Sequence, residues 1–413
     1  MAKVSRREAI ALSLGVAAIA AQSAPVIAAG NGRRVAIVGA GAFGTWSAKA
    51  FLDTGWSVEI IDAHGPAHAR ASSGGETRMT RGVYGDAEIY TRMALASLDD
   101  WSALSRRSGL PIFHRCGVLM FFTEPHDYAE ASIALHHRLG LPTERFDGAQ
   151  IARRFPQFST DDIAFGLFEP QFGALLARRS IQTLLAELVA GGARYRQAEV
   201  LPPGGDAAAL AALTTADGRR IEADLFVFAC GPWLPLLFPT LLGERMFVTR
   251  QEVFFFRTPP GDDSFSPAHL PGWADFNRGD IYYGFPSIEA RGFKIAADRH
   301  GAPIDPDSGD RTSSAEGIAD VRAYMERRFP ALAGAPLSEA RVCQYENSAN
   351  GDLLIDRHPQ WRNAVLAGMG SGHGFKHAPA VGRHVLALAE TGAPPDPRFA
   401  LAAKSTVQDR AVH

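Results

Sequence analysis

The sequence predicts an α/β protein: a discontinuous Rossmann-like, dinucleotide-binding domain joined to a second α+β domain with a mostly antiparallel sheet. Three observations carry this. Residues 35–62 run strand, glycine-rich turn, helix, strand, acid. A second glycine-rich turn follows a strand at 363–376. Aromatic, strand-rich segments without internal repeats lie between them, in a chain of 413 residues with enough apolar content (46%) for two cores.

The first strand, Val35-Ala36-Ile37-Val38, opens on Gly39-Ala40-Gly41-Ala42-Phe43-Gly44. A helical run reaches Thr54 and stops at Gly55, and Val58-Glu59-Ile60-Ile61 leads to Asp62. This order binds a dinucleotide. Gly39 permits the tight turn, Gly41 lets backbone approach a pyrophosphate, and Gly44 lets the helix pack on the sheet. Phe43 belongs to the same cofactor-contacting turn. The helix start offers N–H groups and partial positive charge to phosphates. Asp62 is placed to accept from a ribose.

A polar loop with Ser72, Ser73, Gly74 and Gly75 continues through Arg78 and Arg81 to Tyr84 and Gly85. Helical periodicity marks 89–105, 128–139, 179–189, 317–329 and about 379–390. Strand signals mark 118–122, 194–200, 210–215, 220–222, 224–229, 251–257, 279–296 (two strands) and 363–368. These place a dinucleotide domain at 31–107, 173–236 and 338–400, and a substrate domain at 108–172 and 237–337.

The first 29 residues read as an export signal: Lys3, Arg6 and Arg7, an Ala-rich apolar run, then small residues. Ser5-Arg6-Arg7 has twin-arginine character, predicting a periplasmic or secreted protein; an uncleaved N-terminal helix on a cytoplasmic enzyme is the alternative. A net charge of −2 without long basic runs gives no reason to expect a nucleic-acid partner. No stretch is long and apolar enough for a membrane span. Three cysteines without close spacing argue against a disulfide framework and against a metal site.

The C-terminal turn, Met369-Gly370-Ser371-Gly372-His373-Gly374-Phe375-Lys376, again brings bare backbone to a helix start. Such a start aimed at a flavin carbonyl edge would stabilise the charge that appears on reduction. A nicotinamide enzyme needs no second turn of this kind, so FAD is the expected cofactor.

At this point the chain resembles the monomeric sarcosine oxidase and N-methyltryptophan oxidase family of FAD-dependent amine oxidases, within the D-amino-acid-oxidase-like superfamily. The resemblance covers nearly everything after the leader. It is carried by 39–44, 72–84, Phe168-Glu169-Pro170, and Ile281-Tyr282-Tyr283-Gly284-Phe285-Pro286-Ser287 with Lys294. Arg341-Val342-Cys343-Gln344-Tyr345, Asp356-Arg357-His358-Pro359 and 371–376 complete it.

The resemblance implies a thioether between Cys343 and the flavin; Cys116 and Cys230 keep the reading of buried, inert thiols. It implies that Arg81 and Lys376 hold a substrate carboxylate, that Arg78 lies against the flavin, and that Lys294 activates oxygen. A planar fork and a point charge suit a carboxylate on physical grounds as well. Thr77, Gly372, His373, Gly374 and, besides its part in carboxylate binding, Lys376 join the cofactor contacts, with His373 positioning backbone or facing the flavin rather than moving protons. Tyr283 and Tyr345 line the substrate pocket or pack in the core. The sequence departs from the family at Gly74 and Asp298, where histidines are usual, and the missing side chain at Gly74 is expected to leave room for a larger substrate. The implied activity is oxidation of a secondary amino acid (N-methyl, N-alkyl or cyclic) with release of hydrogen peroxide. A dehydrogenase serving an electron carrier and a silent flavin-binding or assembly protein are the alternatives, and Lys294 favours the oxidase.

Overall fold

The computed structural model describes residues 32–277, 281–299 and 301–408. The expected export signal lies outside them. The parallel sheet is built from β1 (Arg34–Val38), β2 (Ser57–Asp62), β9 (Arg194–Gln197), β12 (Leu225–Phe228) and β19 (Ala364–Gly368), with β18 (Leu354–Arg357) as an antiparallel edge. Its order is β18-β19-β12-β1-β2-β9, and β10 (Leu213–Thr214) and β11 (Arg220–Ile221) form a separate antiparallel pair. Val35, Ile37, Val58, Ile60, Leu225 and Val227 enter one core, while Ala36, Val38, Ile61, Phe226 and Phe228 enter the other. That alternation is what a sheet covered on both faces requires. Each fully buried Val, Ile or Phe contributes roughly 1.5–3 kcal/mol.

Helix α1 (Ala42–Asp53) leaves the glycine turn and packs on a C-terminal helix, α7 (Ala378–Thr391). A Cβ added at Gly382 would sit 2.4 Å from Trp46 O, so the two backbones nearly touch. Helices α2 (Glu88–Ser108) and α5 (Ala177–Ala190) complete this layer.

The second sheet has eight strands: β5 (Val118–Phe122), β6 (Glu144–Asp147), β7 (Phe165–Glu169), β13 (Phe247–Phe256), β14 (Gly272–Phe276), β15 (Ile281–Phe285), β16 (Phe293–Asp298) and β17 (Leu337–Asn347). Their order is β17-β13-β16-β15-β14-β5-β7-β6, antiparallel except for β14 against β5. Helix α6 (Ala315–Arg328) covers one face, where Trp273 stacks between Phe293 and Tyr324. Two further helices are α3 (Asp127–Leu139) and α4 (Gly148–Arg154), and single helical turns at Leu234–Leu237 and Pro239–Leu242 follow β12.

Two segments differ from the sequence reading. Residues 338–347, assigned there to the dinucleotide domain, form β17 and pair along their length with β13. The polar segment read as loop contains β3 (Thr77–Thr80), which joins β8 (Gly173–Leu176) and β4 (Phe113–His114) in a three-stranded sheet. In both places tertiary pairing, not local pattern, makes the strand. Among the described residues, no helix is long and apolar enough to cross a membrane.

Candidate active site

Ligands of open parallel sheets bind beyond the carboxyl ends of the strands, and a cavity of about 320 Å³ opens there. The two glycine turns meet in it: Gly39, Gly41 and Phe43 line it together with Gly370, Gly372 and Gly374. Gly39 has φ +108°, and a Cβ there would lie 2.3 Å from Ala229 O. A Cβ on Gly44 would lie 1.9 Å from Gly39 O. Gly41 meets only Ser73 Oγ, at 3.3 Å. The first and last glycines therefore serve the fold, while the middle one keeps bare backbone toward the cavity. In the second turn Met369 (φ +53°) and Ser371 (φ +45°) adopt left-handed conformations without being glycine. Backbone strain of this kind concentrates at functional sites.

Asp62 closes β2 at the cavity wall. Its carboxylate accepts from Ala40 N (2.7 Å), His64 N (2.9 Å) and Gly65 N (2.7 Å). A carboxylate offers about four acceptor sites, so three backbone donors leave capacity for a ribose hydroxyl. The Thr77 hydroxyl is buried with no partner among the described residues. Bare backbone, an acid and an orphaned hydroxyl fit a dinucleotide cofactor.

A second cavity of about 90 Å³ shares Arg78, Tyr345, Gly372 and Phe375 with the first. It brings together Thr77, Arg81, Tyr283, Cys343, His373 and Lys376. Cys343 and Tyr345 share one face of β17, as the two-residue period of a strand demands, while Gln344 and Glu346 face the first cavity. Arg81 is buried; its Nη1 donates to Val83 O and, at 2.9 Å, to Tyr128 Oη. Lys376 Nζ donates to Tyr84 Oη (2.8 Å) and His373 O (2.9 Å). Arg78 donates to Ser72 O (2.6 Å) and Thr77 O (2.9 Å). Tyr283 and Tyr345 are hydrogen-bonded; burial, followed by the Asp298 carboxylate, pushes Tyr283 up to about 12. His373 Nε2 lies 3.0 Å from Gly351 O, an arrangement that fixes backbone.

Lys294 lies on β16, where strand pattern alone would point it at solvent, yet it is 2% exposed. Its Nζ donates to Thr77 O at 3.0 Å. Burial, aided by Arg78, lowers it to about 7. Asp298, two strand periods along the same face, lines the second cavity.

The structure corrects the expectation at Gly74. A Cβ there would lie 1.9 Å from His68 O, and Gly74 lines neither cavity. Its missing side chain frees backbone packing, not substrate space. Cys116 and Cys230 are both raised by burial, but Cys230 also lines the first cavity, beside Trp233. The position of Cys230 and Trp233 just past β12, at a carboxyl strand end, was the available signal. Glu346 escaped notice as well. It accepts from Ser72 Oγ at 2.5 Å, and burial pushes its carboxyl up to about 7.

A profile of the FAD dependent oxidoreductase family matches residues 34–388. The chain is 31% identical over 365 residues to monomeric sarcosine oxidase of Bacillus sp. (strain NS-129), covering 87% of this chain and 93% of that protein. It is 27% identical to N-methyl-L-tryptophan oxidase of Yersinia pestis (strain Pestoides F), covering 86% and 94%. The crystal structure of L-proline dehydrogenase from P. horikoshii superposes with a TM-score of 0.78 at 18% identity, covering 89% and 96%, a likeness of fold.

Proposed function

The chain belongs to the FAD dependent oxidoreductase family, and from that premise we propose that it oxidises the C–N bond of a secondary amino acid, N-methyl, N-alkyl or cyclic. The observation that carries this reading is one small cavity. It holds two cations suited to a carboxylate, Arg81 and Lys376, and adjoins the dinucleotide cavity through Arg78 and Tyr345. FAD bound there would supply the two-electron redox chemistry, with oxygen as the final acceptor, so that the secondary amine is converted through its imine and water to an aldehyde and an amine, and oxygen to hydrogen peroxide. The protein's part is placement. Arg81 and Lys376 fix the carboxylate, and Tyr283 and Tyr345 bound the space beside the reacting carbon. Lys294 supplies a buried positive charge for oxygen activation. Gly39, Gly41, Phe43, Gly44, Asp62, Thr77, Gly372, His373 and Gly374 hold the cofactor, and Cys343 carries it through a thioether. The leader at 1–29 directs the folded protein out of the cytoplasm by the twin-arginine route.

Purified holoenzyme should release peroxide with at least one N-methyl, N-alkyl or cyclic amino acid. Its yellow colour should stay with the acid-precipitated protein and be washed out of Cys343→Ser. Absence of turnover across such a panel overturns the activity. Colour lost from the wild-type pellet overturns the covalent bond.

A further inference from the structure

Tyr84 closes the 72–84 stretch without a role of its own in the sequence reading, yet both cations assigned to the carboxylate converge on it. The Arg81 guanidinium carbon lies 4.1 Å from its ring centroid. Lys376 Nζ donates to its hydroxyl at 2.8 Å. On the same oxygen, His377 Nε2 stands at 2.9 Å and His373 Nδ1 at 3.4 Å. His377 is held well below its usual value by burial, Lys376, His373 and Arg81, so it is neutral and adds no third positive charge to the hydroxyl. The ring is buried and packs against Tyr90, whose own hydroxyl donates to Asp352 at 2.7 Å.

We propose that Tyr84 is the positioning residue of the substrate clamp: its ring face sets the Arg81 fork, and its hydroxyl sets the Lys376 ammonium, so that the two meet a single carboxylate. This deepens the proposed function and rests on its reading of Arg81 and Lys376. Two like charges in a buried site repel, and a side chain with an electron-rich face and an acceptor oxygen can hold both without cancelling either. A negative side chain in the same place would neutralise the clamp.

The local backbone does not depend on the phenol. Gly82 N donates to both Glu169 oxygens (2.9 and 3.2 Å), Gly85 N donates to Ser132 Oγ (2.8 Å), and Tyr128 Oη donates to Val83 O (2.8 Å). Tyr84→Phe therefore removes one hydroxyl, keeps the ring under Arg81 and leaves the loop pinned.

The test is a titration of holoenzyme with propionate, and with neutral propionamide, followed by the flavin absorbance change. It uses wild type, Tyr84→Phe, Lys376→Met and the double variant. Tyr84→Phe should weaken propionate by about tenfold, the size of one hydrogen bond to a charged group, and leave propionamide unchanged. In the Lys376→Met background the same change should cost less than about twofold, because both act through one ammonium. Equal weakening of propionate and propionamide, or full additivity with Lys376→Met, overturns the positioning role. So does loss of flavin from Tyr84→Phe, because a hydroxyl that only orients the Lys376 ammonium cannot unseat the cofactor. If Lys376→Met itself leaves propionate binding intact, the carboxylate reading falls and takes the proposal with it. If Lys376→Met weakens propionate while Tyr84→Phe does not, only the role of Tyr84 falls.

Discussion

The two cavities are assembled differently. The first takes its defining groups from two short stretches, 39–44 and 370–374, each at the carboxyl end of a parallel strand. The second takes single side chains from β3, β13, β14, β15, β16 and β17 and from the 371–376 loop. One is a property of local chain conformation and the other of tertiary pairing. Changes in the cradle should therefore act on cofactor and fold, changes in the second cavity on substrate, and changes at Lys294, which stands behind that cavity on Thr77 O, on oxygen.

The largest effect should separate two glycines of one motif. Gly44→Ala forces a Cβ onto the carbonyl of Gly39. It should give protein that is poorly folded or free of flavin, with a loss of at least about 1–3 kcal/mol. Gly41→Ala meets only a serine hydroxyl, so its flavin-free form should melt like the wild type while its affinity for FAD falls. Calorimetry of both apoproteins, with FAD titration, checks this. Equal destabilisation would dissolve the distinction between fold glycine and ligand glycine.

Next comes Lys294. Lowered to about 7, it carries its charge below that pH and loses it above. The second-order rate with oxygen should thus fall as pH rises from 6 to 8.5. In Lys294→Met that rate should be pH-independent over this range and lower by about a hundredfold, the usual cost of one preorganised charge-stabilising group. Stopped-flow reoxidation reads both. A variant that keeps the wild-type profile would move oxygen activation to another group.

The smallest effect concerns Glu169, behind Arg81. Burial pushes it up to about 8 from 4.5, so the folded protein holds this proton more tightly than the unfolded chain. The associated stability is complete below about pH 4.5 and is lost as pH climbs to 8. Glu169→Gln keeps an acceptor for Gly82 N and should melt with less pH dependence over that interval. The difference should be roughly 2–4 °C for each kcal/mol lost. Parallel melting curves would mean that Glu169 does not change protonation on folding.

The same contrast explains what the sequence revealed. The run from β1 through α1 to Asp62 was readable because each part is contiguous and each glycine has a local reason. β17 was not: Leu337-Ser338-Glu339-Ala340-Arg341-Val342-Cys343 lacks a clean alternation, as an edge strand with polar groups on both faces does. Lys294, Cys343 and Lys376 were reachable only through the family resemblance, because their neighbours come from elsewhere in the chain. Tyr84 was hidden for the same reason: Lys376 and His377 reach it from the far end of the sequence. Gly74 misled because an absent side chain was read as space, when the direction of its Cβ is filled by the carbonyl of His68.

The central claim is that a carboxylate held by Arg81 and Lys376 places a secondary amine for oxidation at the flavin. Anaerobic mixing of the holoenzyme with an N-methyl amino acid and with its carboxamide tests it most directly. The account predicts that the acid bleaches the flavin band at least about a hundredfold faster than the amide, and that Arg81→Ala removes most of the difference. Equal bleaching by acid and amide in the wild type would contradict it.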